Sequence, residues 1–560
     1  MNKNISEVSS TMNIHTIGSS AEPPDGSRRG NTWLTPFWHD RLVEGGLILS
    51  LALYYVIGNQ NIHIGHFSFA PSLFAHPLYT LPFLLVFALL CWYRLPFAVA
   101  LLPLFLPYYA QQKNVYAHYA FSLAEITLAT CVAVALLQLA VRRKRWRYWL
   151  SSRELAARFG PFAVPMLLFF VMAAFSILVA FNKTVALRAF REEVLDPFAY
   201  VLLLFACVRT RQDMRRLLAA LLGAGVIIAL LGLAQMLLFK NTLKLEDGVR
   251  RIYAVYGSAN SIGLLFDYVL PVGFALLLAR VSGRVRLLAV GCCIPMLVAL
   301  YLTQSLGAWV ALTFALLFVA AFSVRNRSVR LVGSGIFIAL LLIGSFLFRT
   351  QITNVFVDHH VSAKSPGVHT VSTVTKRIYL WQSALHMIHD SPWFGYGMDN
   401  WLCYYSSNKY CDAHKQYWIQ VDPVTHKDTG LKFEPDLSHP HNIFLHVWVS
   451  IGIFGLLAFG AVIVLFFWLF LRIMWRLSGN AALGREGAET LRWMVLGTGA
   501  AMLAALVQGL VDSAFLEQDL AFCFWTIVAA LLLLRVQAGV AWRGKRDIAE
   551  QPTTPLGMLR

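Results

Sequence analysis

The sequence predicts an all-α polytopic membrane protein of 12–14 transmembrane helices, with one large external polar loop that contains amphipathic helices. Three observations carry this. First, 14% of the 560 residues are charged and 58% are hydrophobic, with a mean hydropathy of +0.60. A soluble domain is nearer a quarter charged. Charge this sparse suits the loops of a helix bundle whose remaining surface is solvated by lipid. Second, apolar stretches long enough for a bilayer, roughly 16 to 25 residues, recur along the chain. Third, basic runs follow every second stretch: Arg142 to Arg147, Arg209 to Arg216, Arg280 to Arg286, Arg325 to Arg330, Arg472 to Arg476, and Arg543 to Arg546. The net charge of +18 is therefore distributed as cytoplasmic loops require, not as a nucleic-acid footprint.

In chain order, residues 1–41 are polar and read as a disordered cytoplasmic tail. The first apolar run starts too late for a cleaved signal peptide. Apolar stretches then lie near 42–59, 77–93, 95–110, 119–141, 160–181, 194–208, 217–239, 260–279, 287–304, 306–323, 331–348, 442–471, 493–511 and 520–535. That makes fourteen; 95–110 and 194–208 are short enough to be re-entrant or interfacial, which would leave twelve. The chain divides into the tail, a bundle over 42–348, the polar loop 349–441, the rest of the bundle over 442–535, and a basic cytoplasmic tail, 536–560. With the basic runs inside, 182–193, 240–259 and 349–441 lie outside. A long polar segment without a span is usually functional.

Four external segments carry candidate chemistry. Arg188 and Arg191 are three apart and share a helix face; they either snorkel to headgroups or bind an anion. Arg251 precedes Gly257, Ser258 and Asn260, which open the next span. That is a loop-to-helix entry or an anion site at a helix N-terminus. Thr375 to Asp390 has apolar residues at 378, 381, 385 and 388, and reads as an amphipathic helix on the membrane surface. Arg377 falls in its first turn, where a cation opposes the helix dipole and needs an anionic partner. His439-Pro440-His441-Asn442 ends the loop, and His441 is either an interfacial imidazole or a general base. Gly452 and Gly455 beyond it allow close packing against a neighbouring helix. The chain has no Walker A, no dinucleotide fingerprint, no HExxH and no external DxD, so no metal or other cofactor is expected.

His441-Asn442 followed by Gly452 and Gly455 resembles the signature of the O-antigen ligase family. So does its place at the end of the largest loop. Arg251 through Tyr256-Gly257 to Asn260 resembles a second segment of that family. Arg377 through Trp381 and Asp390-Ser391-Pro392 to Gly395-Tyr396-Gly397 resembles a third. Thr303-Gln304-Ser305-Leu306-Gly307-Ala308-Trp309 resembles a fourth, with Leu306 where Arg is usual. The resemblance spans about 160 to 535. It implies a GT-C-like fold in the bacterial inner membrane with a periplasmic active site. The implied donor is an O-antigen glycan on undecaprenyl pyrophosphate, and the acceptor is a sugar hydroxyl of lipid A–core. On this reading His441 is the base. Arg191, Arg251, Arg377 and Arg188 hold the pyrophosphate, and Asn442, Asp390 and Asn260 support them. Partners are these lipids, with no nucleic acid. Cys403 and Cys411 then face an oxidising compartment and are expected to form a disulfide.

Two other readings share the superfamily, an O-antigen polymerase and a protein O-oligosaccharyltransferase. A lipid-linked glycan flippase is of another class. It needs charge inside the spans, where Glu125 and Asp267 are the main ionisable residues.

Overall fold

The computed structural model describes residues 36–57, 62–64, 67–69, 77–109, 112–116, 119–141, 151–246, 249–279, 281–323, 335, 353, 359–360, 369–370, 373–405, 417, 439–479, 485–513 and 515–542. It is an all-α polytopic membrane protein. Among the described residues nine helices are long and apolar enough to cross a membrane, or ten if one bent pair counts as a single span. The terminal tails, the apolar stretch 331–348 apart from Gly335, and most of the polar loop lie outside the described residues.

Helix α1 is Pro36–Ile57, α2 Leu81–Tyr93 and α3 Leu95–Leu101, which tightens into a 3-10 segment, Leu102–Tyr108. The α2–α3 pair bends by 117°. Pro96, Pro103 and Pro107 withhold backbone donors there, and the segment after the bend is irregular. Helices α4 (Leu123–Val141), α5 (Ser152–Phe159), α6 (Ala163–Val179), α7 (Lys183–Phe190) and α8 (Asp196–Cys207) follow. Between α7 and α8 the chain makes a π-helical turn, Arg191–Leu195. At 12 residues, α8 is roughly 18 Å long, too short to span alone.

Then come α9 (Arg211–Leu238), α10 (Ala259–Leu277), α11 (Gly283–Thr303), α12 (Leu306–Ser323), α13 (Thr373–Asp390), α14 (Trp401–Tyr405), α15 (Ile443–Gly479), α16 (Arg485–Gly509) and α17 (Gln518–Gln537). Helix starts follow their caps. The Thr210 hydroxyl accepts from the Asp213 N–H, and the Asp213 carboxylate accepts from the Thr210 N–H. Ser258 opens α10 by accepting from the Asn260 N–H. Helix α17 is the hub: 94% of its apolar window is buried against 28% for α11 and α12, which face lipid. A helix apolar on every side belongs in the centre of a bundle.

The site depends on a break in α15. Gly452 has φ +76 and interrupts the helix. The backbone freed there pairs with 392–397: Tyr396 N–H donates to Val449 O at 2.7 Å, Gly397 N–H to Ser450 O at 3.0 Å, and Ile453 N–H to Pro392 O at 3.0 Å. The Trp448 indole adds a bond to Pro392 O at 3.0 Å. A Cβ on Gly452 would land on the Trp393 carbonyl, and one on Gly395 would meet the Val449 carbonyl. The glycine expected to let helices approach instead lets two irregular strands of backbone satisfy each other. The space at Gly455 is filled by Ile451 of the same helix.

This docking lays α13 against the first half of α15. Its buried face is Leu380, Ala384, Met387 and Ile388, one step round from the apolar face read in the sequence. Ile378 and Leu385 remain exposed on its other side, as a helix at a membrane interface requires.

Substituting Gly452→Ala is expected to strain the φ and push the 392–397 strand away, costing at least roughly 1–3 kcal/mol. The measurement is the thermal midpoint of the purified protein. A midpoint equal to the parent's would show that the break does not need glycine.

Candidate functional site

His441 sits where the polar loop meets α15. Its backbone is left-handed, φ +50, uncommon for a residue with a Cβ. Neighbours hold it there: its N–H donates to His439 Nδ1 at 3.3 Å, and its carbonyl accepts from Trp381 Nε1 at 3.4 Å. Asn442 follows as the cap of α15. Its Oδ1 accepts from Phe444 and Leu445 N–H at 3.0 and 3.1 Å, and its Nδ2 donates to Leu510 O at 3.0 Å.

The side chain of His441 is buried, with Nδ1 2.7 Å from Asp512 Oδ1. Asp512 lies in the turn between α16 and α17, and the same oxygen accepts from Ser513 N–H at 2.9 Å. A carboxylate only accepts, so Nδ1 is the donor in this contact, and in the neutral ring the lone pair is then on Nε2. Imidazole and carboxylate thus form the dyad that a general base requires.

A second imidazole leans on the first: the His439 and His441 rings are 4.3 Å apart. Burial pulls the His439 pKa down to about 4, and the Arg377 charge adds to that fall against Asp512, which raises it. Arg377 is therefore close enough to act on this end of the site. His439 Nε2 points toward Glu517 Oε1 at 3.9 Å. The Glu517 side chain is 22% exposed. Burial, with Asp519 and Asp512, raises its pKa to about 8 against a bond from Tyr109. Tyr109 O–H donates to Glu517 at 3.1 Å, and Tyr256 O–H to Asp519 at 2.9 Å.

The arginines divide. Arg191, first residue of the π turn, is 2.8 Å from Glu125 and 2.7 Å from Glu192. Its charge is engaged by two carboxylates. Arg188 is more exposed and 3.8 Å from Glu192. Glu193, the next residue, is held well above the usual carboxylate range by burial and by Asp399, Glu192 and Glu517. Arg251 ends a two-stranded hairpin (Lys244–Glu246 with Val249–Arg251) just before α10. Asn260 lies in the first turn of α10, where its backbone N–H donates to Ser258 Oγ at 3.2 Å. Asp390 accepts from the Tyr417 hydroxyl at 2.6 Å, and Tyr417 in turn meets Tyr396 at 2.9 Å. That chain ties α13 to the glycine strand. Cys403 is disulfide-bonded; Cys411 lies outside the described residues.

His439, His441 and Asp512 are the group among the described residues with ligand atoms near enough for one metal ion, all within 4.8 Å. Three bonds oppose it. Asp512 Oδ1 is taken by His441 and Ser513, and His439 Nδ1 accepts from an amide. A metal on His439 Nε2 requires a proton on Nδ1, which would then face that N–H.

Sequence reading found His441 but missed its partner Asp512, and also Ser513, His446 and Glu517. The signal was present: Asp512, Glu517 and Asp519 crowd the short connection between the last two apolar stretches.

A family model described as O-antigen ligase matches residues 291–460. That stretch runs from α11 through the polar loop to the Gly452 break, and it includes Arg377, His439 and His441. The chain is similar to that family over this stretch, which is less than a third of its 560 residues. No curated protein matches the sequence.

His439 gives a prediction for stability. Unfolded, its imidazole titrates near 6.5; folded, near 4. The unfolded chain binds the proton first, so this contribution is full above pH 6.5 and is lost as pH falls toward 4, by up to about 3 kcal/mol. Glu517 acts in the opposite sense, losing stability as pH rises from 4.5 toward 8. The comparison is therefore between the parent and His439→Asn, whose thermal midpoint should fall less between pH 6.5 and 4.5. Parallel curves would contradict the buried neutral imidazole.

Proposed function

We propose that the protein transfers a glycan from undecaprenyl pyrophosphate to a sugar hydroxyl of lipid A–core at the periplasmic face of the inner membrane. The observation that carries this is the buried His441–Asp512 dyad, 2.7 Å across, whose His441 lies within the O-antigen ligase match and next to His439, on which the Arg377 charge acts. In the reaction, the acceptor hydroxyl oxygen forms a bond to the anomeric carbon of the donor. The bond from that carbon to the pyrophosphate oxygen breaks, and the leaving group keeps the electron pair. The hydroxyl proton passes to His441 Nε2. Asp512 holds the imidazole in the right tautomer and stabilises the charge it gains.

The pyrophosphate needs fixed cations as its charge grows. Arg377 and Arg251 are assigned to it. Arg188, more exposed at the rim, is a further contact. Arg191 is assigned to organising the π turn through Glu125 and Glu192, because an anion would have to displace two carboxylates to reach it. Asn442 holds the first turn of α15 under the base. No step in this scheme passes through a metal.

The test is transfer in vitro from purified lipid-linked glycan to lipid A–core. His441→Ala and Asp512→Asn should each cut turnover by about a hundredfold or more, with donor binding near that of the parent. Arg377→Ala should cost roughly 1.5–3 kcal/mol in donor binding or leaving-group stabilisation, and Lys should restore only part of it. A folded His441→Ala protein with parental turnover would make His441 structural. Transfer to other acceptors but not to lipid A–core would move the protein to a sister activity.

Activity should also survive EDTA. Loss of transfer in chelator, restored by a divalent ion, would instead give His439, His441 and Asp512 to a metal.

A further inference from the structure

We propose that His446 and Ser513 are positioning residues for the base: together they hold the Asp512 turn in register with His441. The inference rests on the proposed role of the dyad and adds the parts that fix its geometry.

Three contacts join the start of α15 to the turn after α16. Asn442 Nδ2 donates to Leu510 O at 3.0 Å. His441 Nδ1 bonds Asp512 Oδ1 at 2.7 Å. His446 Nδ1 lies 2.8 Å from Ser513 Oγ. The two segments are joined at three points, and on the turn Asp512 lies between the other two, Leu510 and Ser513. Remove either of those contacts and the turn that carries Asp512 is held from one side.

The Ser513 contact acts directly on the orienting carboxylate. Ser513 N–H donates to the Asp512 oxygen that receives His441. Tethering the Ser513 hydroxyl to α15 therefore fixes the peptide that fixes Asp512.

His446 also supports the other side of the base. Its ring stacks on His439, centroids 5.4 Å apart and planes 23° apart. His439 in turn accepts from the His441 backbone N–H at 3.3 Å. His446 thus reaches His441 by two routes, through Ser513 and Asp512 to the side chain and through His439 to the backbone. That second route bears on the left-handed φ of His441, a conformation that persists only when its surroundings over-determine it.

His446 and Ser513 are both buried, at 2% and 0% exposure. A Leu in place of His446 would fill much of the space while removing the polar contact. Asn places a polar atom close to the ring Nδ1, so it can keep the bond to Ser513. This pair of variants separates packing from positioning.

The experiment measures kcat and both KM values for Ser513→Ala, His446→Leu, His446→Asn and the double variant Ser513→Ala/His446→Leu. Asp512→Asn is the reference, and folded fractions are matched by thermal midpoint. Misalignment of a base without loss of substrate contacts lowers kcat and leaves KM alone, by roughly ten- to a hundredfold. Ser513→Ala and His446→Leu should both show this. The double variant should be no slower than the worse single, because both act through the same turn. His446→Asn should recover most of the rate.

Parental kcat in Ser513→Ala overturns the proposal, as does a His446→Asn protein no faster than His446→Leu. If Asp512→Asn is slow while Ser513→Ala and His446→Leu are not, only this inference falls. If Asp512→Asn is itself unimpaired, the reading of the dyad falls and takes this one with it.

Discussion

A membrane helix cannot be broken unless the freed backbone finds partners within the protein, because lipid offers none. The break at Gly452 meets that condition through the 392–397 strand, whose own glycines allow carbonyls and amides to meet without an intervening Cβ. Much else follows from this exchange. It pins the C-terminal end of α13 to α15. The Trp381 indole then reaches the His441 carbonyl, and Arg377 at the other end comes close enough to act electrostatically on His439. The tyrosine chain from Asp390 through Tyr417 to Tyr396 closes the same joint from the polar side. Residues far apart in the sequence are gathered by one irregular stretch of backbone.

The fold was largely legible because lipid imposes a simple rule on composition. Thirteen of the fourteen apolar stretches hold helices in the structure, and the other, 331–348, lies mostly outside the described residues. The short stretches 95–110 and 194–208 proved as irregular as their length implied. One folds back through 117°, and the other is a 12-residue helix behind a π turn. Hydropathy did not show why Gly452 mattered. A glycine in an apolar run reads equally as a packing surface or a break, and only its φ and its partner strand decide.

The site was legible on one side only. His441 stands out as an imidazole at a polar–apolar boundary, and Asn442 beside it reads as a cap. Its partner is marked only by the acids crowded into 512–519, and nothing in the sequence ties Asp512, 71 residues away, to His441. The arginines show the same limit differently. Four basic residues on the outer side suggested one anion site, yet Arg191 is met by Glu125 from within α4 and by its own neighbour Glu192. An acidic residue inside a span is expensive unless paired. Glu125, one of the two main ionisable residues that the sequence places inside the spans, is 2.8 Å from Arg191.

The three histidines then sort themselves by what each touches. His439 is buried beside Arg377, and its pKa falls to about 4, so it stays neutral and serves as an acceptor for the His441 amide. His446 is spent on Ser513. His441 meets Asp512 at 2.7 Å, much closer than His439 meets Glu517 at 3.9 Å. Three imidazoles this close cannot all carry charge, because like charges in a low-dielectric site oppose one another. The shortest acidic contact falls on His441, and His439, packed between the rings of His441 and His446, links the three.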